Sequence, residues 1–459
     1  MKIYYRLILF FLAPVCGFAQ NSIGVKSYKE AISFSKINNK PILFIIETNS
    51  EETTVINAKK TLYNPDIVKL MIESFIVYKT DLNNPSIKHL ILKYKVNTLP
   101  TFLFLHFNEE AFFKETGYSP VTSKYEIMIN QAIEKKDEKS ISQLESEYYD
   151  DLNNISILRK LIEARKSIGI TDNAELIEKY VAKLSPEQLN NYEAILFILE
   201  AGPYADGKAF KTAFSNKHMV SMVYQRSTPS NFSKIRAAIT NNTLNSAIKS
   251  KNMEQAKAVA NYLKDLAGNY GHINYSSTML SYYKGVGDTT SFLKNAVPFY
   301  DTNYMSLSAD TIGKLQQKYV QSQLLKNMPF STATVVKTKE DSIVVAAIGI
   351  TNRTISISSI PVNNSNVYAN ILNKAAWDFY KTGTKNINYL LKAVMWSTRS
   401  IELSNDGNYF DTLAHLFYQL GYYEQSVKTQ ELAISYAKTN GKPYKNFRDT
   451  LIKMKTKTL

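Results

Sequence analysis

Lys40-Pro41-Ile42-Leu43-Phe44-Ile45-Ile46-Glu47-Thr48-Asn49-Ser50-Glu51-Glu52-Thr53-Thr54 is the stretch on which the reading of the fold turns. Ile42 to Ile46 are apolar at every position, the pattern of a central strand covered on both faces. A short polar loop follows, and then a helical stretch runs to Leu62. Upstream, Tyr28, Ala31, Ile32 and Phe34 recur near helical spacing and predict a first helix over 27–37. Downstream, Asn64-Pro65-Asp66 opens another helix, with proline at a tolerated first-turn position. A strand Phe75-Ile76-Val77-Tyr78 and a helix over 84–94 are predicted next. Val96-Asn97-Thr98-Leu99-Pro100-Thr101-Phe102-Leu103-Phe104-Leu105 then sets a proline ahead of a second apolar strand. Asn108-Glu109 reads as a hairpin turn answered by Ala111-Phe112-Phe113-Lys114. Gly117 supplies a positive φ before a closing helix over 122–135. Strands and helices in this order predict a mixed α/β sheet.

The strand, the polar loop and the proline ahead of the later strand together resemble the thioredoxin-like family. In that family a W-C-x-x-C motif opens the first helix after the strand, and a cis-proline faces it. Aligned from the Asn64-Pro65-Asp66 helix start, the two cysteine positions fall on Glu51 and Thr54. The resemblance implies a thioredoxin-like domain over 20–136 and a cis-proline loop at Thr98, Leu99 and Pro100. It also implies no redox catalysis, because disulfide exchange needs a thiolate and a second thiol to resolve the mixed disulfide. The family's buried acid, six residues before the first cysteine, falls on Ile45, so that support is missing too. Glu51 and Glu52 make poor catalytic carboxylates, since neighbours at a helix start point apart and no histidine is near in sequence. Acids in a first turn are explained by the helix dipole, at about 0.3–1 kcal/mol each. Asn49 with Glu52 also has capping-box spacing.

The composition is that of a folded chain: 459 residues, 44% apolar and 21% charged, enough for two or three domains. Residues 1–19 read as a signal peptide, with Lys2 and Arg6, an apolar run from Leu7 to Ala13, and Gly17-Phe18-Ala19 before Gln20. Export to the periplasm or beyond is therefore expected. Cys16 is the only cysteine, so cleavage after Ala19 leaves no thiol. Acylation of Cys16 as a lipid anchor is the less favoured reading, because Val15 stands where a small residue is usual. The formal charge of +15 invites a nucleic-acid reading, which export and the absence of any run of like charges argue against. A solvated basic surface is preferred, with peripheral contact to an anionic envelope surface as its alternative.

From residue 137 helix signals dominate, and 137–329 read as a helical array. Ser185-Pro186-Glu187-Gln188 is a strong helix start, and helical faces recur over 157–168, 175–184, 253–266 and 312–325. Residues 330–366 break the pattern. Ser342 to Ile348 and Thr354 to Ile357 are β-branched or alternating, with Asn352-Arg353 between, and fit a linker or a small β insertion. The linker is preferred. Over 367–459, Phe410-x-x-Leu413-Ala414-x-x-Phe417-x-x-x-Gly421-x-Tyr423-x-x-Ser426 and Ala433 resemble a tetratricopeptide repeat. Ala393, Ser400 and Ile401 precede Ser426, Ala433 and Ile434 by 33 residues, near that repeat's period of about 34. The fold class is thus an α/β thioredoxin-like N-terminal domain followed by an all-α helical-repeat (TPR-like) region.

No metal or cofactor is expected. His89, His106, His218, His272 and His415 have no ligand spacing, and no phosphate-binding or nucleophile-elbow motif occurs. Tyr148-Tyr149, Tyr282-Tyr283 and Tyr422-Tyr423 fit either core packing, which is preferred, or surfaces that stack on carbohydrate or peptide. The favoured expectation is an exported, non-catalytic adaptor or scaffold with a protein or peptide partner. Peptide would add beside Thr98-Leu99-Pro100 or lie on the concave face of the terminal hairpins. A disulfide-exchange enzyme relying on a partner's thiols, and a chaperone-like holdase, are the alternatives.

Overall fold

Five consecutive apolar residues need apolar cover on both sides, and β1 (Ile42–Ile46) has it. The computed structural model describes residues 24–47, 53–305, 333–337, 343–347 and 365–459. The expected leader, Cys16, Glu51 and the helical reading over 312–325 lie outside these residues. After α1 (Tyr28–Asn38) and β1 come α2 (Thr53–Leu62), α3 (Pro65–Ser74), β2 (Ile76–Thr80) and a 3-10 turn at Pro85–Ile87. Then follow α4 (Lys88–Lys93), β3 (Thr101–Leu105), β4 (Ala111–Thr116) and α5 (Thr122–Lys135). The expected single helix over 84–94 is therefore a 3-10 turn plus a short helix, started by Asn84, whose side chain accepts from the Ser86 N–H at 3.0 Å.

The sheet order is β2-β1-β3-β4, with β1 parallel to β2 and antiparallel to β3, and β3 antiparallel to β4. Side chains alternate across it. Leu43, Ile45, Phe102 and Phe104 pack with Ile67, Met71, Tyr125 and Ile129 from α3 and α5. Phe44, Ile46, Leu103 and Leu105 pack with Ala31, Leu90 and Tyr94 on the opposite face. Both sheet edges are met by other parts of the chain, which blunts them against further pairing. The Val25 N–H donates to the Val77 carbonyl at 2.9 Å beside β2, and the Ser167 hydroxyl donates to the Phe112 carbonyl at 3.0 Å beside β4.

An all-helical region follows: α6 (Ile141–Asp150), α7 (Ile155–Ser167), α8 (Ala174–Val181), α9 (Pro186–Leu189), α10 (Tyr192–Ala201), α11 (Lys208–Ser215), α12 (Lys217–Arg226) and α13 (Pro229–Ser250). The Ser185/Gln188 capping box is present, yet the helix it starts is a single turn, because Asn191 caps α10 immediately after. A start signal sets where a helix begins and not how far it runs.

The chain forms two compact units, Met1–Ser246 and Ala247–Leu459, divided inside α13. The first holds the sheet, and Ile168 at the end of α7 joins its core. The second contains α14 (Met253–Leu266), α15 (Gly271–Gly285), α16 (Thr289–Tyr300), a π turn at Asp301–Met305, β5 (Ala333–Lys337) and β6 (Ile343–Ala347). It ends with α17 (Ser365–Lys381), α18 (Ile387–Leu403), α19 (Gly407–Gln419), α20 (Tyr423–Thr439) and α21 (Lys445–Thr456). Its core gathers Phe292, Ala296, Leu372, Phe379, Trp396 and Leu416. The Trp396 indole N–H reaches Asp301 Oδ1 at 2.9 Å, and its ring meets Phe379 edge-on at 4.7 Å.

Residues 330–366, read as a linker or a small β insertion with the linker preferred, contain a strand pair. β5 and β6 pair antiparallel with Val335 opposite Val345. The partner of the 343–347 strand lies upstream at Ala333-Thr334-Val335-Val336-Lys337, a five-residue run that the sequence reading passed over. The Thr354 to Ile357 strand lies outside the described residues.

Candidate functional site

Pro100 begins the approach to β3, and the Leu99–Pro100 peptide bond is cis. Local hydrogen bonds hold the loop. The Thr101 hydroxyl donates to the Thr98 carbonyl at 2.6 Å, and the Gly117 N–H donates to the Pro100 carbonyl at 2.9 Å. Ile46 pairs with Thr101, so the next residue of β1's chain, Glu47, comes level with Pro100. Its N–H continues the ladder to the Thr80 carbonyl at 3.0 Å.

Glu47 is the residue that sequence reading missed. It is only 3% exposed, two positions beyond Ile45, where the family's buried acid was sought. Lys79 Nζ lies 2.5 Å from Oε1 and Lys59 Nζ lies 4.0 Å from it. The Tyr118 hydroxyl donates to Oε2 at 2.8 Å. The Tyr63 hydroxyl is buried close by without a hydrogen bond of regular geometry, and its ring lies 4.9 Å beneath the Lys79 ammonium. Burial first, and then the Glu47 carboxylate, push both phenols well above the ordinary tyrosine value. Burying a carboxylate is costly unless it is paired, and here four side chains from α2, the turn after it, β2 and the turn after β4 surround it. A carboxylate engaged on both oxygens is poorly placed to take a proton from a substrate. The signal available in sequence was a lone acid ending an apolar strand, which reads equally well as the first exposed residue of a loop.

Of the two positions expected to stand in place of redox cysteines, Glu51 lies outside the described residues. Thr54 sits in the first turn of α2.

At the β3–β4 turn, Glu109 takes a positive φ of 65°. Tyr28 donates to Glu109 Oε1, and His89 Nε2 lies 3.1 Å from Oε2. The Tyr94 hydroxyl donates to the Glu109 backbone carbonyl at 2.6 Å. The hydrogen bond from Tyr28, with help from His89 and Lys93 against partial burial, holds the Glu109 carboxyl below the usual glutamate range. These contacts pin the hairpin to α1 and α4. In the second unit, His415 Nδ1 lies 3.6 Å from Asp411 Oδ2, and the Gln430 amide donates to Asp411 Oδ1 at 2.7 Å. Burial pushes the Asp411 carboxyl up, opposed by His415 and Gln430. Two of the five histidines, His89 and His415, thus lie beside carboxylates. Among the described residues no group of three or more potential ligands is placed to hold a metal ion.

The signature residues of the terminal hairpins are packing residues. Phe410, Leu413, Ala414, Ser426 and Ala433 are buried, Phe417 is half-buried, and Tyr423 is exposed. Gly421 turns the chain between α19 and α20 at a φ of 84°. A Cβ on Gly407 would come within 2.8 Å of the Ala433 carbonyl, so small residues are what let these helices approach. On α18 the sequence reading singled out buried Ala393 and Ser400, but not the outer row. Ile387, Leu391 and Met395, at successive turns, are 61%, 46% and 49% exposed.

No helix among the described residues is long and apolar enough to cross a membrane. No protein-family model matches the chain, and no curated protein matches it.

Proposed function

We propose that this chain is an exported, non-catalytic adaptor or scaffold, in which a thioredoxin-like domain without its thiols accompanies tetratricopeptide-like hairpins that hold a protein partner. The observation that carries the reading is the α18 row of Ile387, Leu391 and Met395, large apolar side chains held in water on a helix whose other face is fully packed. Clustered exposed apolar residues mark interaction surfaces more often than chance exposure does. Three features support the scaffold half of the reading: the β2-β1-β3-β4 order, the cis peptide before Pro100, and a neighbouring carboxylate tied into an ion pair. The single cysteine, Cys16, falls in the predicted leader, which argues for shape over exchange chemistry.

The test is affinity capture from the envelope fraction with the mature chain beside Leu391→Asp and Met395→Asp variants of unchanged circular dichroism. A specific partner retained by the parent chain and lost by both variants is expected. Retention of every partner by both variants would sink the α18 surface. Turnover in an insulin-reduction assay would instead favour the exchange-enzyme alternative.

A further inference from the structure

The second unit contains a pocket of about 360 Å³ formed by α14, α15, α16 and the π turn. That volume falls within the range of small-molecule sites, about 300–1,000 Å³. Its shape originates in the sequence of α16. Pro298 lies inside that helix and has no N–H to give, and the helix passes directly into the π turn at Asp301–Met305. Wide turns of this kind occur often at functional sites. Here the turn brings Thr302 and Asn303 to the same wall as Phe299.

The lining chemistry is selective. Met279, Leu280 and Phe299 supply apolar surface, and Tyr275 and Tyr283 add rings that carry a hydroxyl at one end. Tyr282 is buried, and Tyr283, edge-on to it at 5.9 Å and half-buried against the core, reaches the pocket wall. Asn295 and Asn303 each donate one amide N–H to a helix carbonyl, of Ser291 and Phe299 respectively, at 2.8 Å. Such a bond fixes the amide and still leaves it a carbonyl and a second N–H, an acceptor beside a donor. A hydroxyl is likewise donor and acceptor at once. Among the described residues no carboxylate lines the pocket; Lys257, bridged to Glu254 at 2.7 Å, and His272 are its basic side chains. An amine therefore meets no carboxylate on the lining, and the Lys257 ammonium is already engaged by Glu254 at the surface.

We propose that this pocket binds the ring of a neutral hexose, free or as the end unit of a glycan. The apolar ring face of the sugar packs on Tyr275 and Tyr283, and its hydroxyls exchange hydrogen bonds with Asn295 and Asn303. The proposal stands apart from the adaptor reading and draws on different residues.

The test is calorimetric titration of the mature full-length chain with galactose, N-acetylglucosamine and glucuronate, paired with saturation-transfer NMR. At least one of the two neutral sugars is expected to saturate the chain, with glucuronate binding about tenfold more weakly or not at all. Tyr275→Ala and Asn303→Ala are each expected to weaken that sugar by about tenfold at unchanged melting temperature, and Tyr275→Phe to retain most of the affinity. Failure of both neutral sugars to bind overturns the proposal, as does glucuronate binding as tightly as they do. Binding undiminished in both alanine variants also overturns it, because it would place the sugar elsewhere.

Discussion

A single buried carboxylate organises the end of the sheet beside Pro100. Glu47 accepts from Tyr118 and meets Lys79, whose own side chain is about half in water (46% exposed). Replacing Glu47 by Ala therefore frees a lysine that can be rehydrated, but leaves the part-buried Tyr118 hydroxyl without its acceptor. We expect Glu47→Ala to cost about 1–3 kcal/mol in urea unfolding at neutral pH, and Glu47→Gln, which keeps an acceptor for Tyr118, to cost less. Equal loss in both variants would show that charge, and not hydrogen bonding, sets the cost. Glu109 gives a pH dependence of definite sign. Its folded-state carboxyl lies below the ordinary value of 4.5, mainly through the Tyr28 hydrogen bond. A depressed acid contributes stability that is complete above that ordinary value and is lost as pH falls through the folded-state value. Glu109→Gln should flatten the acid limb of the stability profile and leave the limb near neutrality unchanged. An unaltered acid limb would remove Glu109 from the account.

At the scale of elements, helix ends show most clearly how local and distant signals divide the work. The caps by Ser27, Asn64 and Asn252 are visible in sequence, and each side chain receives the N–H of its own first turn. The start of α11 is different. Gly207 at its cap has no side chain to offer, and Glu178 of α8 accepts from the Ala209 N–H at 3.2 and 3.1 Å on its two oxygens. A Cβ on Gly207 would fall 2.0 Å from Glu178 Oε1. Gly207→Ala should therefore expel the carboxylate and cost about 1 kcal/mol, the size of a lost helix cap, read as a lower urea midpoint at unchanged slope. In the background of Glu178→Ala the same glycine substitution should cost much less. Equal costs in both backgrounds would refute the capping role. No sequence pattern reports such a cap, since its donor and acceptor lie 31 residues apart.

For the whole molecule, periodicity carried the reading far in some places and stopped short in others. The all-apolar run 42–46 is β1, the closing helix over 122–135 is α5, and the 253–266 helix is α14, because each is long or strongly patterned enough to outweigh its surroundings. The reading failed where elements are short. The Pro85–Ile87 turn, the single-turn α9 and β5 each commit few residues, and their form follows from what they pack or pair with. Division of the helical array inside α13 follows from how two separate cores gather their side chains, one around the sheet and one around Trp396, Phe379 and Phe292. By itself the sequence determined the α/β start, the helical remainder and the starts of helices such as α3, α5 and α14, since these depend on residues within a turn or two of each other. Only the tertiary structure decided that Glu47 is a buried ion-paired acid, that Tyr282 is buried while Tyr283 reaches a pocket wall, and that α18 keeps an apolar row in water. Burial and pairing are relations between residues distant along the chain, and no local pattern encodes them.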